Sequence, residues 1–201
     1  MTLEERLSAA LRDGSPGEWL EDALAAAAER PESIGRSFAA AGRRVGRQAL
    51  SGAPGWTADE AARALLLSAL PPDRQADQAG ELYRHGDADE KRAVLKALPM
   101  LAADTAAVPL LHDAIRTNDT RLVAAALGPY ARHLDQTAWR QAVLKCVFMG
   151  VPLTAVDRLD ERADHELAAM LAAFADERAA AGRPMPADAA ALLDRLTPKE
   201  A

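Results

Sequence analysis

The chain has 201 residues, about half of them apolar, 4% aromatic, and carries a net charge of −6 with one cysteine. That length allows one sizeable domain with a core of leucine, valine and alanine. The acidic balance excludes a domain-wide nucleic-acid footprint, and the single cysteine, Cys146, excludes an internal disulfide framework.

Alanine forms roughly a quarter of the chain, and arginine far outnumbers lysine. Both biases fit coding in a GC-rich genome, so arginine counts alone carry little functional weight. Alanine, leucine, arginine and glutamate are the strong helix formers, so helix is expected nearly throughout. In chain order, Thr2 and Glu5 form a capping box and Gly14 ends the first helix. Ser15, Pro16 and Glu18 start the second, which runs to Arg30 and stops at Pro31. A third covers Ile34 to Ala41, after which "GRRVGRQALSGAPG" loosens. Thr57 and Glu60 box the helix "ADEAARALLLSAL", and Pro71-Pro72 end it. Asp73 to His85 follows, closed by Gly86. Asp87 with Glu90 caps "ADEKRAVLKAL", ended by Pro99. Asp104 to Thr117 comes next, bent or delayed at Pro109. Asn118 or Asp119 caps "TRLVAAAL", and Gly128-Pro129 terminate it. Asp135 caps "QTAWRQAVLKCVFM", Pro152 starts a short helix, Asp164 caps the long one that Gly182 closes, and Pro186 opens the last.

This pattern gives an all-α fold of about eleven short helices with no sheet. Helix pairs at roughly 30–40 residue spacing between Ala58 and Leu127 suggest an α-solenoid of HEAT-like repeats, the alternative being an irregular helical bundle. One domain over 1–201 is expected, with a loose linker at Ser51 to Gly55. The acidic N-terminus lacks the pattern of a signal peptide, and no charge-free stretch has membrane-spanning length. A soluble cytoplasmic protein is the reading, with no nucleic-acid partner and no integral membrane segment, peripheral contact remaining open.

Phosphate loops, dinucleotide glycine fingerprints, nucleophile elbows and zinc-protease motifs are missing. His165-Glu166 begins like HExxH, but Ala169 stands where the second histidine belongs. Asp157, Asp160 and Asp164 have spacing that can hold magnesium beside a diphosphate, but such aspartates are more often caps and solvated turns, and Asp164 already serves as a cap. Cys146 sits between Val143, Leu144, Val147 and Phe148 and reads as a buried small hydrophobe. No metal and no cofactor is implied.

Two cationic features stand out. Ser33 to Ala58 carries Arg36, Arg43, Arg44 and Arg47 without an intervening acid, with Gly42 and Gly46 beside the arginines. Glycine permits close backbone approach and arginine forks match phosphate oxygens, so Arg43 and Gly46 are anion-site candidates; the alternative, favoured for an exposed charge run, is pairing with acids of neighbouring helices or simple solvation of a loop. Lys145 lies in the apolar run "AVLKCVFMGV" and must either snorkel or be held by a buried acid, with Glu177 the first candidate.

The stretch "AVLKCVFMGVPLTAVDRLDERADHELAAMLAAFADERAAAGR" resembles the C-terminal signature of the EboA domain family. The matches run through Val143, Leu144, Lys145, Phe148, Gly150, Pro152, Leu159, Asp160, Arg162, Leu167, Met170, Glu177, Arg178 and Arg183. Upstream, "RRVG" resembles a family element through Arg43, Val45 and Gly46, and "WTADEAARALLLSALP" a tryptophan-led helix through Trp56 and Arg63. Asp164 departs from the asparagine, Phe174 from the tyrosine, Asp176 from the histidine and Ala179 from the tryptophan common there. The resemblance implies a bacterial protein of secondary metabolism and metabolite traffic, working with other proteins of that pathway. It also makes Arg43, Arg63, Lys145, Arg162, Glu177 and Arg178 candidates for a shared polar site or for a structural salt-bridge network. The functional expectation is a non-catalytic helical binding or adaptor component that takes a phosphate-bearing small molecule or a protein partner. The alternative is an enzyme acting on a phosphorylated or prenylated metabolite, with the arginines holding phosphate.

Overall fold

The computed structural model describes residues 1–13 and 17–197; the Gly14 stop and the Ser15-Pro16 helix start lie outside them. The described residues form an all-helical structure. Its twelve α-helices are α1 (Leu3–Asp13), α2 (Glu18–Glu29), α3 (Ile34–Val45), α4 (Ala58–Ser68), α5 (Pro72–His85), α6 (Ala88–Ala97), α7 (Val108–Arg116), α8 (Thr120–Ala126), α9 (Gln136–Met149), α10 (Leu159–Arg162), α11 (His165–Ala180) and α12 (Ala187–Leu196). Four short 3-10 turns join them, and the sole extended pairing among the described residues is an isolated bridge between Ala49 and Thr57.

The local signals act where the residue types place them. Glu5 and Thr2 exchange side-chain bonds with each other's amides, and Asp87 does the same with Glu90. Asp119, Asp135 and Asp164 each accept an amide of the helix that follows, satisfying a donor that the first turn leaves unpaired. Three boundaries differ from the sequence expectation. α3 continues through Gly42 to Val45, because Ile34, Phe38 and Ala41 are buried along one face and Arg43 and Arg44 suit its negative C-terminal end. α7 begins at Val108, after a turn in which Asp104 takes a left-handed φ of 41°, and Pro109 fits its first turn. Leu159 to Arg162 adds a helical turn before Asp164.

The chain divides into two compact units, Met1–Leu110 and Leu111–Ala201. Unit 1 is built around α4, which packs against α1, α2, α3, α5 and α6. Every residue from Ala58 to Leu67 is buried, and Ala61, Ala62, Ala64 and Leu66 are fully covered. Small alanines let five helices approach one axis; Leu7, Leu11, Ile34, Phe38, Tyr83, Val94 and Leu95 fill the space between them. Unit 2 has its own core of Leu111, Val123, Leu127, Trp139, Val143, Cys146, Leu167 and Leu171, with α9 packed on α8 and α11, and α12 on α11.

Candidate functional site

The first turn of α4 carries Asp59, Glu60 and, one turn on, Arg63, all at most 3% exposed. A central helix has no wet face, so these ionised groups must be matched inside the protein. Arg63 Nη1 donates to Asp59 Oδ2 at 2.6 Å, and its Nε donates to the Phe38 carbonyl of α3 at 3.0 Å. The guanidinium lies 5.5 Å from the Phe38 ring centre. Thr57 Oγ1 donates to the other Asp59 oxygen at 2.7 Å.

Glu60 anchors the second half of this network. Its Oε2 accepts the Thr57 amide at 3.0 Å and also accepts from Lys96 Nζ of α6. Lys96 Nζ donates to the Gly55 carbonyl at 2.6 Å and sits 4.2 Å from the Trp56 ring centre. Burial pushes the Lys96 ammonium below the ordinary lysine range, while the hydrogen bond and charge of Glu60 pull it back. The remaining Glu60 oxygen, Oε1, has no hydrogen-bond partner; Arg92 Nη1 faces it at 3.1 Å as an ion pair without hydrogen-bond geometry. Sequence reading took Glu60 only as a cap and passed over Lys96. Its signal was the same as that of Lys145, one cation inside an apolar run, "AVLKALPM".

The arginine segment lies at the end of α3. Arg43 is exposed on the last turn. Gly46 ends the helix with φ 81°, a backbone conformation that favours glycine. Arg47 pairs with Asp89 of α6 at 2.5 Å and lies against Gly42. Arg63 is presented to Asp59 and Phe38, inside unit 1, while Arg43 faces solvent.

In unit 2 the charged residues close helix ends. Lys145 Nζ donates to the carbonyls of Ile115 and Thr117, at 2.6 and 2.7 Å, at the C-terminus of α7. These carbonyls have no intrahelical donor, and a cation suits that end of the helix. Glu177 is exposed on α11, so the pairing expected from the sequence is replaced by backbone oxygens. Arg162 donates to the carbonyls of Ala131 and Leu134 at 2.8 and 3.0 Å and to Gln136 Oε1, and lies 4.7 Å from the Trp139 ring centre. Arg140 forks onto Asp164, Nε to Oδ1 at 2.9 Å and Nη2 to Oδ2 at 2.5 Å, while Gln136 donates to the same carboxylate at 3.1 Å. The Arg140 hydrogen bond holds the Asp164 carboxyl well below the usual carboxylate range. Arg178 Nε donates to the Pro184 carbonyl at 2.7 Å, and its guanidinium stands 5.7 Å from the Phe174 ring centre.

The Cys146 thiol is buried, and desolvation pushes its pKa up to about 12, which keeps it protonated. Among the described residues no group of three histidine, cysteine, aspartate or glutamate side chains is placed to hold a metal. Nor is any helix there long and apolar enough to cross a membrane.

Unit 1 also holds a groove lined by α1, α2 and α4. Its larger part has a volume of about 570 Å³ and is lined by Thr2, Glu4, Glu5, Ser8, Arg12, Leu24, Leu65 and Ala69. An adjoining part of about 350 Å³ shares Ser8, Arg12, Leu24 and Leu65 and adds Leu20 and Glu21. The lining combines leucines and an alanine with hydroxyls, carboxylates and one guanidinium, a composition suited to an amphipathic molecule.

No curated protein and no solved structure matches the chain. A family model described as "Metabolite traffic protein EboA" matches residues 48–194. The matched span holds Trp56, Glu60, Arg63, Lys96, Lys145, Arg162, Glu177 and Arg178; Arg43, Gly46 and the α1 and α2 walls of the groove precede it. With well over half of its length covered, the chain belongs to the EboA family.

Proposed function

We propose that this chain serves metabolite traffic as a non-catalytic binding component, holding a small amphipathic molecule without transforming it and passing it to other proteins of the pathway. The observation that carries this reading is the groove lined by α1, α2 and α4. Its larger part, about 570 Å³, lies within the size range of small-molecule sites. Leu24, Leu65 and Ala69 suit a hydrocarbon body, and Arg12, the one cation beside Glu4, Glu5 and Glu21, is the group that would hold a phosphate-bearing end. The division of labour among charges supports it. Arg63, Lys145 and Arg162 donate to carbonyls or a buried acid of their own unit, which makes them scaffold.

Calorimetry with inorganic phosphate, sugar phosphates and a short prenyl diphosphate tests the proposal. The prenyl diphosphate is expected to bind more tightly than inorganic phosphate, and Arg12→Ala to weaken it about tenfold, the effect of losing one charge-assisted contact. Arg43→Lys in the same titration decides whether the exposed arginine at the end of α3 holds the phosphate end instead. Product analysis after prolonged incubation is expected to return every probe unchanged. Conversion of a probe would favour the enzyme reading, and absence of binding to all of them would remove the small-molecule ligand.

A further inference from the structure

The larger part of the groove presents charges of both signs that the described protein leaves unpaired. Along α1, Glu4, Ser8 and Arg12 recur every four residues, so they share one face of the helix, and all three line the groove. Glu4 and Arg12 are exposed, and neither side chain makes a hydrogen bond or ion pair among the described residues. Other charges of unit 1 are taken: Arg47 faces Asp89, Arg63 faces Asp59, and Arg92 and Lys96 face Glu60. Two turns of α1 separate Glu4 from Arg12, about 12 Å along the axis. Residues on a helix reach each other at a spacing of three or four, so these two do not neutralise one another directly.

The rest of the lining fills the space between them. Leu24, Leu65 and Ala69 supply its apolar surface. Glu5 also lines this part, but its Oε2 already accepts the Thr2 amide at 2.7 Å. Glu21 lines the adjoining part and not the larger one. An anionic group at Arg12 therefore answers one end of the larger part only. A ligand whose other end is hydrocarbon would cover the Glu4 carboxylate without giving it a partner, and removing a charge from water unpaired is unfavourable. A primary ammonium at that end would instead make a charge-assisted hydrogen bond.

We propose that the ligand of this groove is bifunctional, with an anionic group at Arg12, an apolar body on Leu24, Leu65 and Ala69, and an ammonium at Glu4. The inference rests on the groove being the small-molecule site and adds the chemistry of its second end.

Calorimetry with octyl phosphate and 8-aminooctyl phosphate tests it, because the two probes differ only by an amine at the end remote from the phosphate. The aminated probe is expected to bind about fivefold more tightly, the worth of one partly exposed ion pair. Glu4→Gln is expected to abolish that advantage without weakening octyl phosphate, and Arg12→Ala to weaken both probes, each variant keeping the parent's helix content by circular dichroism. Octyl phosphate binding as tightly as its aminated counterpart, or an advantage that survives Glu4→Gln, would overturn the bifunctional ligand. Weaker octyl phosphate binding by Arg12→Ala would in that case still uphold the groove as the site. Failure of both probes to bind would remove the groove reading and this inference with it.

Discussion

Lys145 shows at the scale of one residue how a correct inference can have the wrong partner. An ammonium in an apolar run needed an internal acceptor, and the sequence offered Glu177. The structure provides two carbonyls at the end of α7 instead. A carbonyl is invisible in a sequence because every residue has one. Lys145→Met is therefore expected to lower unfolding free energy by about 1.5–3 kcal/mol, the range for hydrogen bonds to a charged group. Glu177→Gln should stay within about 0.5 kcal/mol, as surface changes do. Urea denaturation of both variants checks the pair of outcomes. Asp164 makes the second residue-scale prediction. Its folded pKa is depressed, so its contribution is full above the unfolded value of about 4 and is lost as pH falls through the lower folded value. Asn at this position keeps the cap on the Leu167 amide but loses the charge that Arg140 forks onto. Asp164→Asn is expected to cost about 1 kcal/mol at pH 7. The difference from the parent should shrink as the titration is carried below about pH 4, measurable by denaturation at a series of pH values.

Helix starts were the most legible elements, because a cap is a local event involving residues at fixed short spacing. Thr57 with Glu60, Asp87 with Glu90, and Asp135 were placed correctly from the sequence, and each acts as written. Helix ends were less legible. Gly42 read as a loosening point, yet burial of Phe38 and Ala41 carries α3 past it. The position of α4 at the centre of unit 1 was not legible at all. Its string of alanines and leucines reads like several other helices, and only the long-range packing makes it central. That position has a measurable consequence. Ala62 has no exposed surface, so Ala62→Leu must displace neighbouring helices and is expected to destabilise by about 1–3 kcal/mol or more. Ala179→Leu, on the exposed face of α11, should change stability by less than about 0.5 kcal/mol. Denaturant midpoints of the two variants separate these outcomes.

Across the whole molecule, fold class was legible and assembly was not. Composition and capping gave an all-helical chain, and far-UV circular dichroism of the purified protein is expected to show the helical double minimum without a sheet component. The division at Leu110 falls inside α7, where no glycine, proline-rich stretch or charge run announces it. The stretch that did look like a linker, Ser51 to Gly55, is tied down by Lys96 on the Gly55 carbonyl and by the Leu50 amide on Trp56. The candidate site followed the same division. Residue types identified which cations were unusual, because each stood among apolar neighbours. Which of them serve the scaffold depended on acceptors from distant segments, such as Phe38 for Arg63 and Ala131 for Arg162.

The burial of Asp59 and Arg63 against each other restricts how this sequence can drift over evolutionary time. Replacing either partner alone strands the other charge in a dry interior, a loss of about 3–5 kcal/mol in a domain whose total stability is of order 5–15 kcal/mol. A lineage cannot leave this pair by single tolerated steps, although a well-packed apolar pair at the two positions could be nearly as stable. Arg63→Met and Asp59→Leu are each expected to be severely destabilising, and the double variant less so than either. A thermodynamic cycle over the four proteins measures that coupling. A large value would mean that descendants of this chain inherit both charges or replace both together, with a low-fitness intermediate between.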